Sequence, residues 1–238
     1  MRIDVCLASY RGELFLREQI DSILIEFAPG DRLIIADDGS TDGTVAIIRS
    51  YGDRIVFMTG ERVGGIVPNF ERVLAASDAD ITVLADQDDV WLPGRLDRIR
   101  AALITADLVV MNGEIVDENL ASLHRTIFNS IGVHHGFFAN LRKNTFVGCC
   151  MAFRRNVRER VLPFPAGVPW HDWYIGLVAE LTGKVVRLEP VTMQYRRHGA
   201  NFSPTGEKST NSLLRKIAIR LAVARAVVIA VVLRRPGK

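Results

Sequence analysis

Ile81-Thr82-Val83-Leu84-Ala85-Asp86-Gln87-Asp88-Asp89-Val90-Trp91 is the stretch on which the reading of this chain turns. Its first five residues form a short apolar run, the pattern of a strand covered on both faces. Three carboxylates then follow within four positions. Acids gathered at the end of a buried strand repel one another and are costly to desolvate unless a positive group joins them. A divalent cation bridging a diphosphate would supply that charge, and hard oxygen ligands suit magnesium or manganese. A solvated, helix-capping acidic turn is the plainer reading, but capping would use only one of the three.

Upstream, the same unit recurs. Residues 3–8 and 32–36 are apolar runs, each ending in a polar cluster, Ser9-Tyr10 and Asp37-Asp38-Gly39-Ser40. Residues 13–25 carry Leu16, Ile20, Ile23 and Leu24 at helical spacing, and Thr41, Asp42 and Thr44 offer capping groups to a helix through Val45, Ile47 and Ile48. A third strand over 55–58 and a helix over 69–76 complete the alternation. This predicts an α/β fold, a mostly parallel central sheet with helices on both faces. Ligands of such sheets gather beyond the carboxyl ends of the strands, where all three polar clusters fall.

Downstream the pattern loosens. Residues 108–111 and 184–188 read as strands, whereas 118–136 holds His124, His134 and His135 without clear periodicity, a region suited to acceptor-binding loops. The organisation expected is a nucleotide-sugar-binding half (1–110), an acceptor-binding half of the same domain (111–205) and a basic, apolar helical tail (206–238). In the tail, residues 211–238 carry seven of the 30 basic residues and no acid, which leaves 23 basic against 27 acidic residues in the body. That balance excludes a basic nucleic-acid groove and fits the tail to an anionic membrane surface. Packing of the tail on the body or on a partner subunit fits equally well. Its apolar run over 226–233 is too short to span a bilayer, and Arg215, Arg220 and Arg225 fall on different helical faces.

Cys149 and Cys150 are neighbours whose pairing would strain a vicinal ring, so no disulfide framework is expected. The N-terminus enters an apolar run at Ile3 without a basic leader, unlike a secretory signal. Both point to a cytoplasmic setting.

Two other chemistries share parts of the pattern. An aspartyl-phosphate phosphohydrolase would use the first Asp of Asp-x-Asp as nucleophile, but such enzymes carry that motif on an early strand, whereas here it follows the fourth apolar run. Dinucleotide-binding dehydrogenases and sugar nucleotidyltransferases need a glycine-rich first turn, whereas Ala8-Ser9-Tyr10-Arg11-Gly12-Glu13 has one glycine.

The chain resembles a family 2 glycosyltransferase of the GT-A fold, in particular its polysaccharide rhamnosyltransferase-like members. Five ordered segments, covering the chain to about residue 203, carry the resemblance: Val5-Cys6-Leu7-Ala8-Ser9-Tyr10, Ile35 to Thr44, Ala85 to Trp91, Trp170-His171-Asp172-Trp173 and Tyr195-Arg196-Arg197-His198-Gly199. The resemblance implies an inverting, metal-dependent transfer from a nucleotide-diphosphate sugar to a saccharide or lipid-linked acceptor in bacterial surface polysaccharide synthesis. It implies that Ser9 and Tyr10 flank the nucleobase and that Asp38 accepts its N3–H, which favours UDP- or dTDP-sugars. Asp37 then serves the turn. Asp86 would lie near the ribose, and Asp88 or Asp89, with Asp88 preferred, would hold Mn2+ or Mg2+ together with His198. Arg196 or Arg197 would neutralise phosphate. Asp172 is the general base, its pKa raised by Pro169, Trp170, Trp173 and Tyr174, which also offer surface for stacking on sugar rings; an N-cap role for Asp172 is the alternative. Two positions depart from the family's pattern, Ala8 where proline is common and Arg11 where asparagine is common. A non-catalytic sugar-nucleotide-binding protein is the alternative in another functional class.

Overall fold

A computed structural model describes residues 1–58, 62–199 and 212–233. The chain runs β1 (Ile3–Ser9), α1 (Leu16–Leu24), β2 (Arg32–Asp37), α2 (Thr44–Arg49), β3 (Val56–Met58), α3 (Ile66–Ala75), β4 (Ile81–Ala85), β5 (Val90–Trp91) and α4 (Arg95–Ala102). It continues through β6 (Leu108–Val116), β7 (Ser122–Thr126), α5 (Ile127–Ile131), α6 (Phe137–Arg142), β8 (Met151–Arg154), α7 (Arg155–Val161), α8 (His171–Thr182), β9 (Val185–Arg196) and α9 (Leu213–Val228).

One sheet takes nine strands in the order β3-β2-β1-β4-β8-β6-β9-β5, with β7 paired to β6. β1 pairs in parallel with β2 and β4, and β2 with β3, as the apolar runs predict. All five residues of β4 are buried, so both faces of this period-2 element are covered. The fully buried core chains Ile3, Leu7, Ile35, Phe70 and Leu84 contribute roughly 1.5–3 kcal/mol each by leaving water.

β8 is inserted antiparallel between β4 and β6, and β9 lies parallel to β6. The carboxyl ends of β1, β2, β4, β6 and β9 therefore share one edge with the start of β8. The unassigned region 118–136 contains β7 and α5. Residue 110 lies within β6, so both halves of the chain feed the same sheet.

The tail helix packs on α8 and α6, and Val223, Ala226, Val227 and Ala230 join the core. No helix among the described residues is long and apolar enough to cross a membrane. All three cysteines are free and buried.

Candidate active site

Three carboxylates meet at the shared edge from two distant segments. Asp86 and Asp88 leave β4, and Asp172 occupies the first turn of α8. Burial raises the Asp86 carboxyl to about 7, and the negative charges of Asp88 and Asp172 push it the same way. Burial also raises Asp172 to about 7, against the N–H of Trp173, which donates to Asp172 Oδ1 at 2.6 Å. Trp170, not Asp172, is the N-cap of α8.

Trp173 and Tyr174 correct the expected sugar-stacking surface. Both are buried, with Trp173 Nε1 donating to the Asn140 carbonyl at 2.9 Å and the Tyr174 hydroxyl donating to the Val161 carbonyl at 3.0 Å. Their rings belong to the core.

Asp88 and Asp89 have separate environments. Asp88 Oδ2 lies 2.9 Å from His198 Nε2, and the His198 ring sits 4.8 Å from that of Phe15. Asp89 is fully buried: Oδ1 accepts the backbone N–H of Arg196 at 3.1 Å, and Oδ2 has no hydrogen-bond partner among the described residues. Burial, then Asp88 and Asp86, raises its pKa well above the usual range. Asp86, Asp89 and Cys149 bring ligand-type atoms within 4.8 Å of one another. The Cys149 thiol is itself held protonated by its hydrogen bond with Cys150 and by burial, so it serves these carboxylates as a donor. The unpartnered Asp89 oxygen, the mutual repulsion and the oxygen-rich donor set fit a hard divalent cation, with Asp88 and His198 as the accessible pair.

The guanidinium of Arg196 braces this loop. Its Nε donates to the Asp88 carbonyl at 2.8 Å, its terminal nitrogens reach the Glu118 carbonyl at 2.6 Å and Glu18 Oε2 at 2.5 Å, and it lies 4.6 Å from the Phe15 ring centroid. A phosphate contact from Arg196, as the sequence suggests, would require these bonds to be given up. The backbone N–H of Arg197 donates to the Val116 carbonyl at 2.8 Å.

The expected nucleobase residues are close together at the ends of β1 and β2. The Ser9 hydroxyl donates to Asp37 Oδ1 at 3.0 Å, and Asp37 also accepts the Ser40 N–H at 2.7 Å, the turn role expected for it. The buried Asp38 carboxylate accepts the backbone N–H groups of Val63, Gly64 and Gly65 at 2.6, 3.0 and 2.8 Å. It therefore anchors the 62–65 segment. Two guanidinium groups approach the Tyr10 ring, Arg11 at 5.2 Å and Arg62 at 5.1 Å from its centroid.

Several contributors were given no role by the sequence. Gln87 clamps the Tyr10 peptide in both directions, accepting its N–H at 2.8 Å and donating to its carbonyl at 3.0 Å. Gly12 makes room for that clamp, since a Cβ there would meet Gln87 Oε1 at 2.5 Å. Gln19 donates to the Asp86 carbonyl at 2.9 Å. Fully buried Arg95 donates to the Cys149 carbonyl at 2.6 Å and to Thr192 Oγ1 at 2.7 Å, tying the turn before β8 to β9. His171 stacks on Phe70 at 4.1 Å, and burial lowers its pKa to about 3, so the ring is neutral. Arg11 has φ 52°, in the left-handed region that suits asparagine better than arginine.

The fold and site define a GT-A type α/β protein with an acidic, metal-fitting centre at the carboxyl edge of its sheet. The structure superposes on TarS of S. aureus in complex with UDP-GlcNAc with TM-score 0.70 and 15% identity, covering 96% of this chain and 67% of that one. It also superposes on the mannosyltransferase PcManGT of Pyrobaculum calidifontis in complex with GDP-Man and Mn2+ with TM-score 0.59 and 17% identity, covering 96% and 71%. Residues 4–162 match glycosyl transferase family 2, and the chain belongs to that family. An uncharacterised glycosyltransferase of Nostoc sp. is 27% identical over 227 residues, 89% of this chain and 69% of that protein. The Escherichia coli protein WfgD, named UDP-Glc:alpha-D-GlcNAc-diphosphoundecaprenol beta-1,3-glucosyltransferase, is 23% identical over 181 residues, 74% of this chain and 68% of its own length. Family membership displaces the phosphohydrolase reading of Asp86.

Proposed function

We propose that this protein is an inverting, metal-dependent glycosyltransferase that moves a sugar from a UDP- or dTDP-sugar to a saccharide or lipid-linked acceptor in surface polysaccharide synthesis. The observation that carries this reading is the convergence of Asp172 with Asp86 and Asp88, whose negative charges add to burial in making Asp86 harder to ionise. A nucleotide diphosphate and its counter-cation would resolve that repulsion. The name of the E. coli relative, with its UDP-sugar donor and undecaprenol-linked acceptor, supports the donor and acceptor classes. The fitting location is cytoplasmic, at the inner face of the cell membrane.

In this reading residues 1–110 hold the donor and 111–205 the acceptor. Tyr10 and Ser9 flank the base. Asp38 reads its N3–H, which requires the Val63–Gly65 amides to yield part of their hold on the carboxylate. Asp86 approaches the ribose, and Arg197 meets phosphate charge. Asp88 and His198 would hold Mn2+ or Mg2+, which supplies positive charge beside the diphosphate as it leaves. Asp172 takes the proton of the acceptor hydroxyl while that oxygen bonds the anomeric carbon from the face opposite the leaving diphosphate. A pKa near 7 leaves a useful fraction of Asp172 ionised at neutral pH and still basic enough to accept the proton.

A thermal-shift screen of UDP-, dTDP- and GDP-sugars with manganese tests the donor class, because a ligand bound only by the folded state raises Tm. Stabilisation by UDP- or dTDP-sugars is expected, and stabilisation by GDP-sugars alone would overturn the assignment. Donor hydrolysis or transfer in the same samples separates an enzyme from a non-catalytic binder.

A further inference from the structure

The tail helix α9 has two apolar faces, and the fold uses one of them. Val223, Ala226 and Val227 are buried, with Ile219 partly so, and this face packs against α8 and its neighbours. At 3.6 residues per turn these four positions fill an arc of about 100°. Leu213, Leu214, Ile217, Leu221 and Val228 fill a second arc of about 100° on the other side of the helix. All five are exposed, Leu214 at 80% and Leu221 at 65%. The same periodicity sets Arg220 and Arg225 at the two borders of this stripe. Arg220 also donates to the Arg142 carbonyl at the end of α6 at 2.6 Å, and one turn earlier on α6 Phe138 is 83% exposed. Arg220 and Arg225 thus flank the exposed stripe, a feature hidden in sequence because apolar residues on both faces cancel the helical asymmetry.

Single exposed aliphatic residues are ordinary, but a stripe of five in register along one helix marks an interaction surface. We propose that this face of α9 docks on an anionic lipid bilayer, the helix lying in the plane of the interface. The apolar stripe would sink to the boundary between headgroups and acyl chains, and the flanking arginines would reach lipid phosphates. Charge complementarity selects this occupant: residues 211–238 carry seven basic residues and no acid. A second copy of the chain fits poorly, because two-fold pairing would set one basic helix against another with no acid from either.

The test is co-sedimentation of the full chain with vesicles of phosphatidylcholine alone and of an equal mixture with phosphatidylglycerol. Binding to the mixed vesicles, weakened by salt, is expected. The double variant Leu214→Glu/Leu221→Glu changes exposed positions only, so its circular dichroism and melting should match the parent while vesicle affinity falls at least about tenfold. Arg225→Ala should weaken binding by about fivefold. Unchanged binding by the folded Glu variant, or equal binding of the parent to both vesicle types, would overturn the proposal. A vesicle-free dimer abolished by the Glu variant would also overturn it, by assigning the face to a second copy.

Discussion

Asp4 and Asp89 are equally buried, at opposite ends of the same sheet, and they fare in opposite ways. Asp4, on β1, takes two bonds from Arg32 at 2.9 and 2.7 Å, the Ser77 hydroxyl at 2.9 Å and the N–H groups of Asp78 and Ala79. Burial works to raise its pKa, but these partners outweigh burial and the carboxyl is held below its ordinary value. Asp89, after β4, has the Arg196 N–H and the Cys149 thiol as its donors, one bare oxygen and two negative neighbours, and its pKa rises. One end supplies every partner that a buried charge needs; the other withholds them. The first arrangement stabilises the fold, and the second is what a site for an ion and a diphosphate requires before they arrive.

The largest separation between the two ends should come from chemistry. Asp172→Asn keeps the shape of the side chain and removes the base, so turnover at saturating substrate should fall about a hundredfold to ten-thousandfold while donor affinity changes little. Near-normal turnover would remove Asp172 from the mechanism, and lost donor binding would give it a structural role in α8. Asp4→Ala should act on stability instead. Breaking the buried pair should cost about 3 kcal/mol in urea unfolding, at the lower end of the range because the Arg32 side chain keeps 33% of its exposure. Turnover at low temperature should be kept, and an Asp4 variant that folds normally but turns over slowly would break the division between the ends.

A smaller effect is the pH dependence of the metal-free protein. Asp86 and Asp172, with pKa raised to about 7, hold protons in the folded state that the unfolded chain releases near 4. Folding stability should therefore fall as pH rises from about 4 to about 7. Asp4 has the opposite sign, and its contribution is lost only as pH falls through its lowered value. Urea melts across this range should show the decline, with a flatter slope in Asp172→Asn. A metal-free protein equally stable at pH 5 and 8 would contradict the raised pKa values.

How much of this was legible in sequence follows the same physics. β1, β2 and β4 were readable because a strand buried on both faces must be apolar throughout. β6 and β9 run past their expected ends through Asn112-Gly113-Glu114 and Glu189-Pro190, residues with little strand character that pairing holds in place across irregular register. β8, four residues long, depends on slotting between β4 and β6 and has no local signature. In the site, Asp86 and Asp88 announce themselves as a charge cluster, and Asp172 through the Trp170–Trp173 segment that carries the family resemblance. The brace from Arg196, the Gln87 clamp and the Cys149 thiol are contacts across long stretches of chain, which no local pattern encodes. Asp38 and Asp37 share a motif with Ser40, but which backbone groups they bind is set by the placement of the 62–65 segment.

The claim that the acidic end of the sheet is a metal and nucleotide site is tested most directly by calorimetric titration of UDP into the parent protein and Asp88→Ala, each with and without manganese. Manganese should strengthen binding to the parent, whereas Asp88→Ala should lose that metal dependence while remaining folded by circular dichroism. Unchanged affinity and unchanged metal dependence in the variant would show that the ion is held elsewhere and would contradict the account.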